Sequence, residues 1–590
     1  MRSLLGRFHR PMSRGLVNNM LTMNNLGDGS TLNLDFTTMG DVLDPRLTFS
    51  RASTATFVNS SGYVEWAGAN LCPYSQQINV GTWLVGVSAT LTPNTTDVLD
   101  PQGGNTATKI ALGANTYNSR AMSLALPGGM TYTFSYWIRG TAGNQSRIYS
   151  NAGYVGDLVT QIPYSYSTTE WTRVSITFTT NVATTNVFIY VCSKPTLPAT
   201  TDVIYVWGAQ LNPGSTAQTY YPTTTAAYHA PRFDYSPTNI GQPRGLLVEG
   251  QGVNLLVQSN DWNTTWNNPA QITWNGSTYA TAPDNTNTAK QITVTAASSS
   301  AIGQAVSTGT NRTISVWLRG GSLTSFSIGA FDAGGTSWGN NPDSTSSIIS
   351  GPGSVTQQVG GLWSITGLST TQWTRIRIFR SSTYTTFLAY PGASSGTING
   401  TAFMWGMQME AGSDASSYIP TGASQVTRAV DTAIIAAGTN FSSWYTGGTT
   451  GTFVTEWCRC TATTTQRTVI ATSDVSNQHL HQYIAATTSR LRLADKVPAF
   501  IETANASVDN SINKGAFSYA GSLQSLCLNG GTVVPGTLTF TTAPTWLSIG
   551  GPSTNGTSIT DTAVVLNNAI RTIKYYPTRL TDAQIKDITT

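Results

Sequence analysis

Charge is what this 590-residue sequence has least of: Asp, Glu, Lys and Arg make up 10% of it, against about 25% in ordinary soluble domains. Sustained helical periodicity is equally scarce, which argues against a helical bundle or an α/β enzyme. No run approaches the 18 apolar residues of a membrane span, and the opening "MRSLLGRFHRPMSRGL" lacks the apolar stretch of a secretory signal. The expectation is a chain neither inserted in a membrane nor exported by a classical leader. Cysteine is sparse too: Cys72, Cys192, Cys458, Cys460 and Cys527 form no even framework and no CxxC pair. Cys458 and Cys460, two apart in "EWCRCT", would share one face of a strand and read as small core residues unless two further metal ligands lie nearby.

The place of charge is taken by Thr, Ser, Asn and Gly, with 16 Trp and 24 Tyr among them. A hydrophobic content of 39% excludes general disorder. Polar uncharged surface, many aromatics and short alternating segments between Gly, Pro and Asn turns point to all-β layers. The formal net charge is +4, and residues 1–30 hold Arg2, Arg7, Arg10 and Arg14 against Asp28, a net of +3 that leaves +1 for the rest. The body is nearly neutral, so nucleic acid and anionic membrane are not expected partners, whereas neutral surfaces and sugars are.

The chain repeats itself. "SYWIRG" at 135–140 returns as "SVWLRG" at 315–320, "WTRVSITF" at 171 as "WTRIRIF" at 373, "VWGAQL" at 206 as "MWGMQM" at 404, and "TYYPT" at 219 as "SYIPT" at 417. Offsets of 180–184 in the first part become 198–202 in the second, so the second copy carries about 20 extra residues between Gly320 and Trp373. That Gly/Ser/Thr-rich stretch is expected to be a surface-loop excursion. Trp83/Trp266, Trp137/Trp317, Trp171/Trp373 and Trp207/Trp405 recur at matched strand positions and are expected in the core. The unpaired Trp262, Trp274, Trp338 and Trp363 remain for surface or interface and are the candidates for stacking on a glycan, Trp338 in "GTSWGNNPD" first among them.

"LTFSRASTATFVNSSGYV", "APRFDYSP", "QPRGLLVEGQGVNLL", "VWGAQL" and "MWGMQMEAGSDASSYIPTG" together resemble a cassette of tailed-bacteriophage head fibres, tail fibres and spikes, in which such segments are jelly rolls of carbohydrate-binding-module type. The C-terminal part, with "GTFVTEWCRC", "LSIGG" and "IRTIKYYPTRLTDAQIKDITT", resembles the concanavalin/laminin-G-like sandwich; Thr581 and Gln584 form a capping box for a closing helix. The expected fold is all-β, tandem jelly-roll sandwiches with an extended N-terminal arm. The divisions are arm 1–33, cassette strands 34–69, first sandwich 70–225 inserted into the cassette, connecting segment 226–253, second sandwich 254–428 and concanavalin/laminin-G-like sandwich 429–590.

Catalysis finds little support. No ExDxE strand occurs; Glu456 stands alone, Glu410 and Asp414 read as a strand end and turn, and Asp41/Asp44 and Asp97/Asp100 read as turn residues before proline. The "HLH" at 479–481 could supply half a metal site but finds no third ligand, and there is no GxSxG elbow or Walker loop. No cofactor is expected; calcium is compatible with such sandwiches, yet no acidic loop identifies a site. The resemblance thus implies a non-enzymatic structural protein of a phage virion, made in the infected cytoplasm, with a tail receptor-binding fibre or a polysaccharide depolymerase as alternatives. Its partners would be other virion proteins reached through Arg2, Arg7, Phe8, Arg10 and Arg14 of the arm, copies of itself in a trimer, and host surface glycans.

Overall fold

A computed structural model describes residues 28–590 except 41, 86–88, 112–119, 141–144, 151–157, 164–166, 182–185, 194–202, 261–265, 267–271, 296–300, 332–343, 358–361, 382, 393–398, 459–464, 475–477, 487, 495–499, 509–510 and 539–542. The described chain is built almost entirely of antiparallel strands and forms two compact units. One comprises Ser50–Gln242 and Glu249–Asp431; the other comprises the chain up to Phe49, Pro243–Val248 and Thr432–Thr590.

The larger unit holds both repeats. In the first, a sheet ordered Thr172–Thr179, Thr131–Gly140, Val203–Pro213, Thr108–Ala111, Thr90–Thr92 faces a second sheet centred on Asn186–Ser193. In "TYTFSYWIRG" strand alternation sends Tyr132, Phe134, Tyr136 and Ile138 inward, onto Val174, Ile176 and Ile204. The second copy repeats the arrangement with Arg312–Gly320 between Thr374–Arg380 and Asn399–Ala411. Its extra segment departs from the loop expectation: it supplies Ser344–Ser350 to one sheet and Ser354–Gln357 with Trp363–Thr366 to the other. Each copy is closed at its neck by pairing of its entrance and exit, Ala69–Asn70 with Tyr228–His229 and Gly252–Asn254 with Val426–Arg428.

The phrases that bracket the repeats meet in a buried ion cluster. Arg51 of "RAST" reaches Asp431 at 3.0 Å, Arg232 of "PRFDY" bonds both Asp431 and Glu249 (2.6 Å to the latter), and Arg428 bonds Glu249 at 2.5 Å. Burial alone would raise the Glu249 carboxyl; Arg428, Arg232 and two hydrogen bonds from Ser417 outweigh it and hold the group at about 2. The cassette motifs therefore serve to fasten the framework around both sandwiches.

The smaller unit is a third sandwich assembled from distant stretches. Leu32–Asp35 pairs with Asn568–Tyr576, so the expected arm ends earlier than residue 33: Leu32 and Leu34 are fully buried. Alternation of Leu32 and Leu34 in "LNLD" gives this strand an apolar face that needs a sheet, which is why it joins one. Pro243–Val248 continues the same side of that strand, pairing with Asn568–Ile570, while Thr450–Cys458 takes its other side. Trp444, Tyr445, Phe453 and Tyr575 pack ring on ring in the core. The closing helix Asp582–Ile588 carries the anticipated capping box between Thr581 and Gln584 and buries Ile585.

Candidate functional site

Strand parity decides where the repeated tryptophans point. Trp137 shares its side of Thr131–Gly140 with Thr133, Ser135 and Arg139, the face opposite the core residues Phe134, Tyr136 and Ile138. The neighbouring strand carries one extra residue opposite the step from Ser135 to Trp137, so that Ser135 faces Gln210 and Trp137 faces Trp207. Gly208, with φ +67°, makes this bulge: a Cβ there would sit 2.9 Å from the Trp137 ring. "WG" recurs at 405–406 because the second copy has the same bulge, with Gly406 at φ +65° against Trp317.

The outcome is an aromatic and guanidinium platform on the outer face of each first sheet. In the first copy Trp137 meets Trp207 edge-on at 5.2 Å and Tyr220 at 5.3 Å, with Arg173 lying 4.5 Å over Trp137. In the second, Trp317 meets Trp405 at 5.2 Å and Tyr418 at 5.5 Å, with Arg375 at 4.2 Å. Hydrogen bonds repeat as well: Arg173 donates to Ser135 and the Gln218 carbonyl, Arg375 to Ser315 and the Ser416 carbonyl. Trp171 and Trp373 extend the platforms, donating to the carbonyls of Leu99 and Thr281. The expectation that all four tryptophan pairs fill the core is thus corrected. Trp83 and Trp266 fill the sandwich interiors; the other three pairs lie on the outer face, where Trp207, Trp317 and Trp405 are buried as expected, whereas Trp137, Trp171 and Trp373 are only partly so.

The two platforms differ in cover. The hairpin Thr56–Val58/Val64–Trp66 lays Val64 on the second one and donates the Val64 N–H to the Pro283 carbonyl at 2.8 Å. Trp317 and Tyr418 are then 6% and 2% exposed. Trp137, Tyr220, Arg139, Arg173 and Trp171 of the first copy are all partly exposed. Polar groups fringe them: Asp97 accepts from Lys109 at 2.6 Å and from the Tyr205 hydroxyl at 3.2 Å. The Lys109 hydrogen bond lowers the Asp97 carboxyl and raises the ammonium, and burial with the Asp97 bond raises the Tyr205 phenol. Asp97 is therefore a rim group of the platform, unlike Asp100, which caps its own turn by accepting from the N–H groups of Gln102, Gly104 and Thr106.

Of the expected glycan candidates, Trp363 is 5% exposed, because "WSIT" is a strand whose alternation sends Trp363 and Ile365 into the core. It offers no face for stacking. Trp262 and Trp338, the side chain of Trp274 and the arm residues Arg2, Arg7, Phe8, Arg10 and Arg14 lie outside the described residues. His481 is buried against Thr468, and burial holds its imidazole at about 4. Cys458 is buried, and Cys460 lies outside the described residues. Glu410 is buried with Ser416 and Gln408, and burial raises its carboxyl. Among the described residues no group of three His, Cys, Asp or Glu is placed to hold a metal ion, and no helix is long and apolar enough to cross a membrane.

Residues 78–200, which contain Trp137, Arg139, Trp171 and Arg173, match a family described as "Carbohydrate binding domain" (CBM_4_9). No curated protein matches the chain. Solved structures with a likeness include the N-terminal CBM22-1-CBM22-2 tandem domain of Paenibacillus barcinonensis Xyn10C (11% identity, 58% of this chain and 97% of that one, TM-score 0.23). Others are domains LG4-5 of the mouse laminin alpha1 chain (9%, 46% and 85%, 0.17) and Trypanosoma rangeli sialidase (11%, 93% and 99%, 0.22). At these scores the structural likenesses carry no argument.

Proposed function

We propose that the protein is a non-enzymatic, glycan-binding structural component of a tailed-phage virion, and that the uncovered platform of the first sandwich is its glycan-contacting surface. One observation carries the glycan reading: Trp137, Arg139, Trp171 and Arg173 of the uncovered platform, with the rim groups Asp97 and Lys109, fall within the stretch 78–200 that matches a carbohydrate-binding family. Trp137, Tyr220 and Trp171 offer ring faces to the C–H side of a pyranose, and Arg139, Arg173, Asp97, Lys109 and Tyr205 offer donors and acceptors to its hydroxyls. Isothermal titration against oligosaccharides cut from host surface polysaccharide should show binding that Trp137→Ala and Trp171→Ala each weaken about tenfold. Unchanged affinity in both variants would remove the platform from the reading.

The virion assignment rests on the resemblance of the cassette phrases to phage fibre and spike proteins. In this reading residues 1–27 dock the protein on the head or tail, the assembly is a trimer, and polysaccharide is bound without being cut. Deleting residues 1–27 should leave a folded protein that no longer joins particles. Light scattering of the full chain should give three copies, and a reducing-end assay on host polysaccharide should stay at background. Release of reducing ends would favour the depolymerase alternative.

A further inference from the structure

The larger unit contains a second concave surface, made by neither repeat alone. A cleft of about 780 Å³ lies between the two sandwiches, with strand Val64–Trp66 among its lining. That volume is within the range of small-molecule sites, about 300–1,000 Å³. The first copy contributes Met130, Thr131 and the 213–218 turn; the second contributes Gln258, Asn260, residues 284–290 and Pro420.

Its walls are fixed by named bonds. The Ala423 N–H donates to the Gly128 carbonyl at 2.9 Å across the two copies, and the Gly422 Cα is so close that a Cβ would fall 2.0 Å from the same oxygen. Thr56 donates to the Tyr418 carbonyl at 2.5 Å, and Gln218 ties the Val64–Trp66 strand to the first copy by accepting from Ala69 N–H and donating to the Trp66 carbonyl. A site held this way is already in shape before anything binds.

The lining has one partly exposed ring, Trp66, surrounded by amides and hydroxyls such as Gln218, Asn260, Asn287 and Thr288. Its charged groups are Glu65 and Asp284 against Lys290, a net of −1, which opposes anionic ligands. The geometry points to a second, inter-repeat glycan site, in which a neutral oligosaccharide stacks on Trp66 and is hydrogen-bonded by side chains of both copies. This rests on the glycan-binding reading above but on different residues, so the two can fail separately.

The test is titration of the full chain with neutral tetrasaccharides of glucose and of N-acetylglucosamine, and with a glucuronate-containing tetrasaccharide of the same length. Two cleft variants are compared with Trp171→Ala on the platform: Trp66→Ala, and Asn287→Leu at an exposed position whose change leaves the packing alone. Both cleft variants should lower affinity for a neutral tetrasaccharide about tenfold, Trp171→Ala should leave that component intact, and the glucuronate probe should miss it. Wild-type affinity in both cleft variants, with loss only in Trp171→Ala, overturns the cleft and leaves the platform standing. Failure of the wild type to bind any probe or host oligosaccharide overturns both. A melting transition for each variant separates lost binding from lost fold.

Discussion

The two outer faces of the repeat carry the same chemistry but differ in cover: Trp317, Tyr418 and Arg375 are buried where Trp137, Tyr220 and Arg173 are partly exposed. Trp137, Trp207, Tyr220 and Arg173 are placed as Trp317, Trp405, Tyr418 and Arg375 are, to within 0.3 Å in every ring and cation distance between matched partners. Local sequence is enough to build the geometry, because the alternation of "SYWIRG" and the "WG" bulge fix which side each ring takes. Exposure also depends on a hairpin at 56–66 that belongs to neither repeat and lays Val64 on the platform of the second copy. A duplicated surface can thus become core in one copy and remain partly open in the other when a residue about 250 positions away, Val64, joins Ala280, Ala282 and Phe403 on the Trp317 cluster. The family match falls on the copy left open.

The ion cluster touches the copies unequally. Glu249 accepts from the backbone N–H and the hydroxyl of Ser417, both at 2.7 Å, immediately before Tyr418. Thr219, at the matching place before Tyr220, is exposed. Glu249→Gln leaves Arg232 and Arg428 facing a neutral group and should cost about 3–5 kcal/mol in denaturant unfolding of the larger unit. Hydrogen exchange should rise at 416–421 and stay unchanged at 218–223; equal loosening of both would show that the cluster does not discriminate between them. The same carboxyl sets an acid limit. Its folded value near 2 lies below the ordinary carboxyl value of 4.5, so its contribution is fully present above about pH 5, declines below that, and is lost as pH falls through about 2. The Gln variant should flatten that part of the stability profile.

Next in size is the pair of tryptophans themselves. Trp317→Ala removes a ring that is 6% exposed and should cost about 3–5 kcal/mol. Trp137→Ala removes a partly exposed ring and should cost about half as much, since less of its area leaves water on folding. Equal losses by chemical denaturation would mean that the first platform is covered in solution, and the assignment of the glycan surface would go with it.

Much of this was legible in the sequence, and what was not has definite causes. The repeat, the alternating strands and the capped helix at Thr581 are local patterns with short reach. Parity places Trp137 and Trp317 on the outer face, since each shares its side with Ser and Arg, whereas recurrence marks a shared structural position whether or not that position is core. Trp363 has no counterpart in the first copy, so recurrence says nothing of it; the alternation of "WSIT" turns its ring inward once that strand joins a sheet. Pairings such as Leu32 with Tyr575 leave no local signal at all. The phrases around "RAST", "PRFDY" and "VEG" were recognisable as a set, but their purpose as a buried charge cluster needed Arg428 and Asp431, which no motif had singled out.

Val64→Ser removes the apolar contact on the second platform while keeping the backbone bond to Pro283, so the cost should be about 1 kcal/mol. Acrylamide should then quench Trp317 more strongly, and the effect is cleanest where Trp137 is already replaced. In that Trp137→Ala background, the uncovered second platform should restore part of the glycan affinity the first has lost. Restoration should be incomplete, because Phe403 stands where Tyr205 stands in the first copy and lacks the hydroxyl that reaches Asp97. Adding Phe403→Tyr should then raise the recovered affinity if the phenol itself contributes to recognition. Quenching without any recovery of binding would assign specificity to the polar rim at Asp97, Lys109 and Tyr205, and no increase in quenching would show that Val64 is not what covers Trp317.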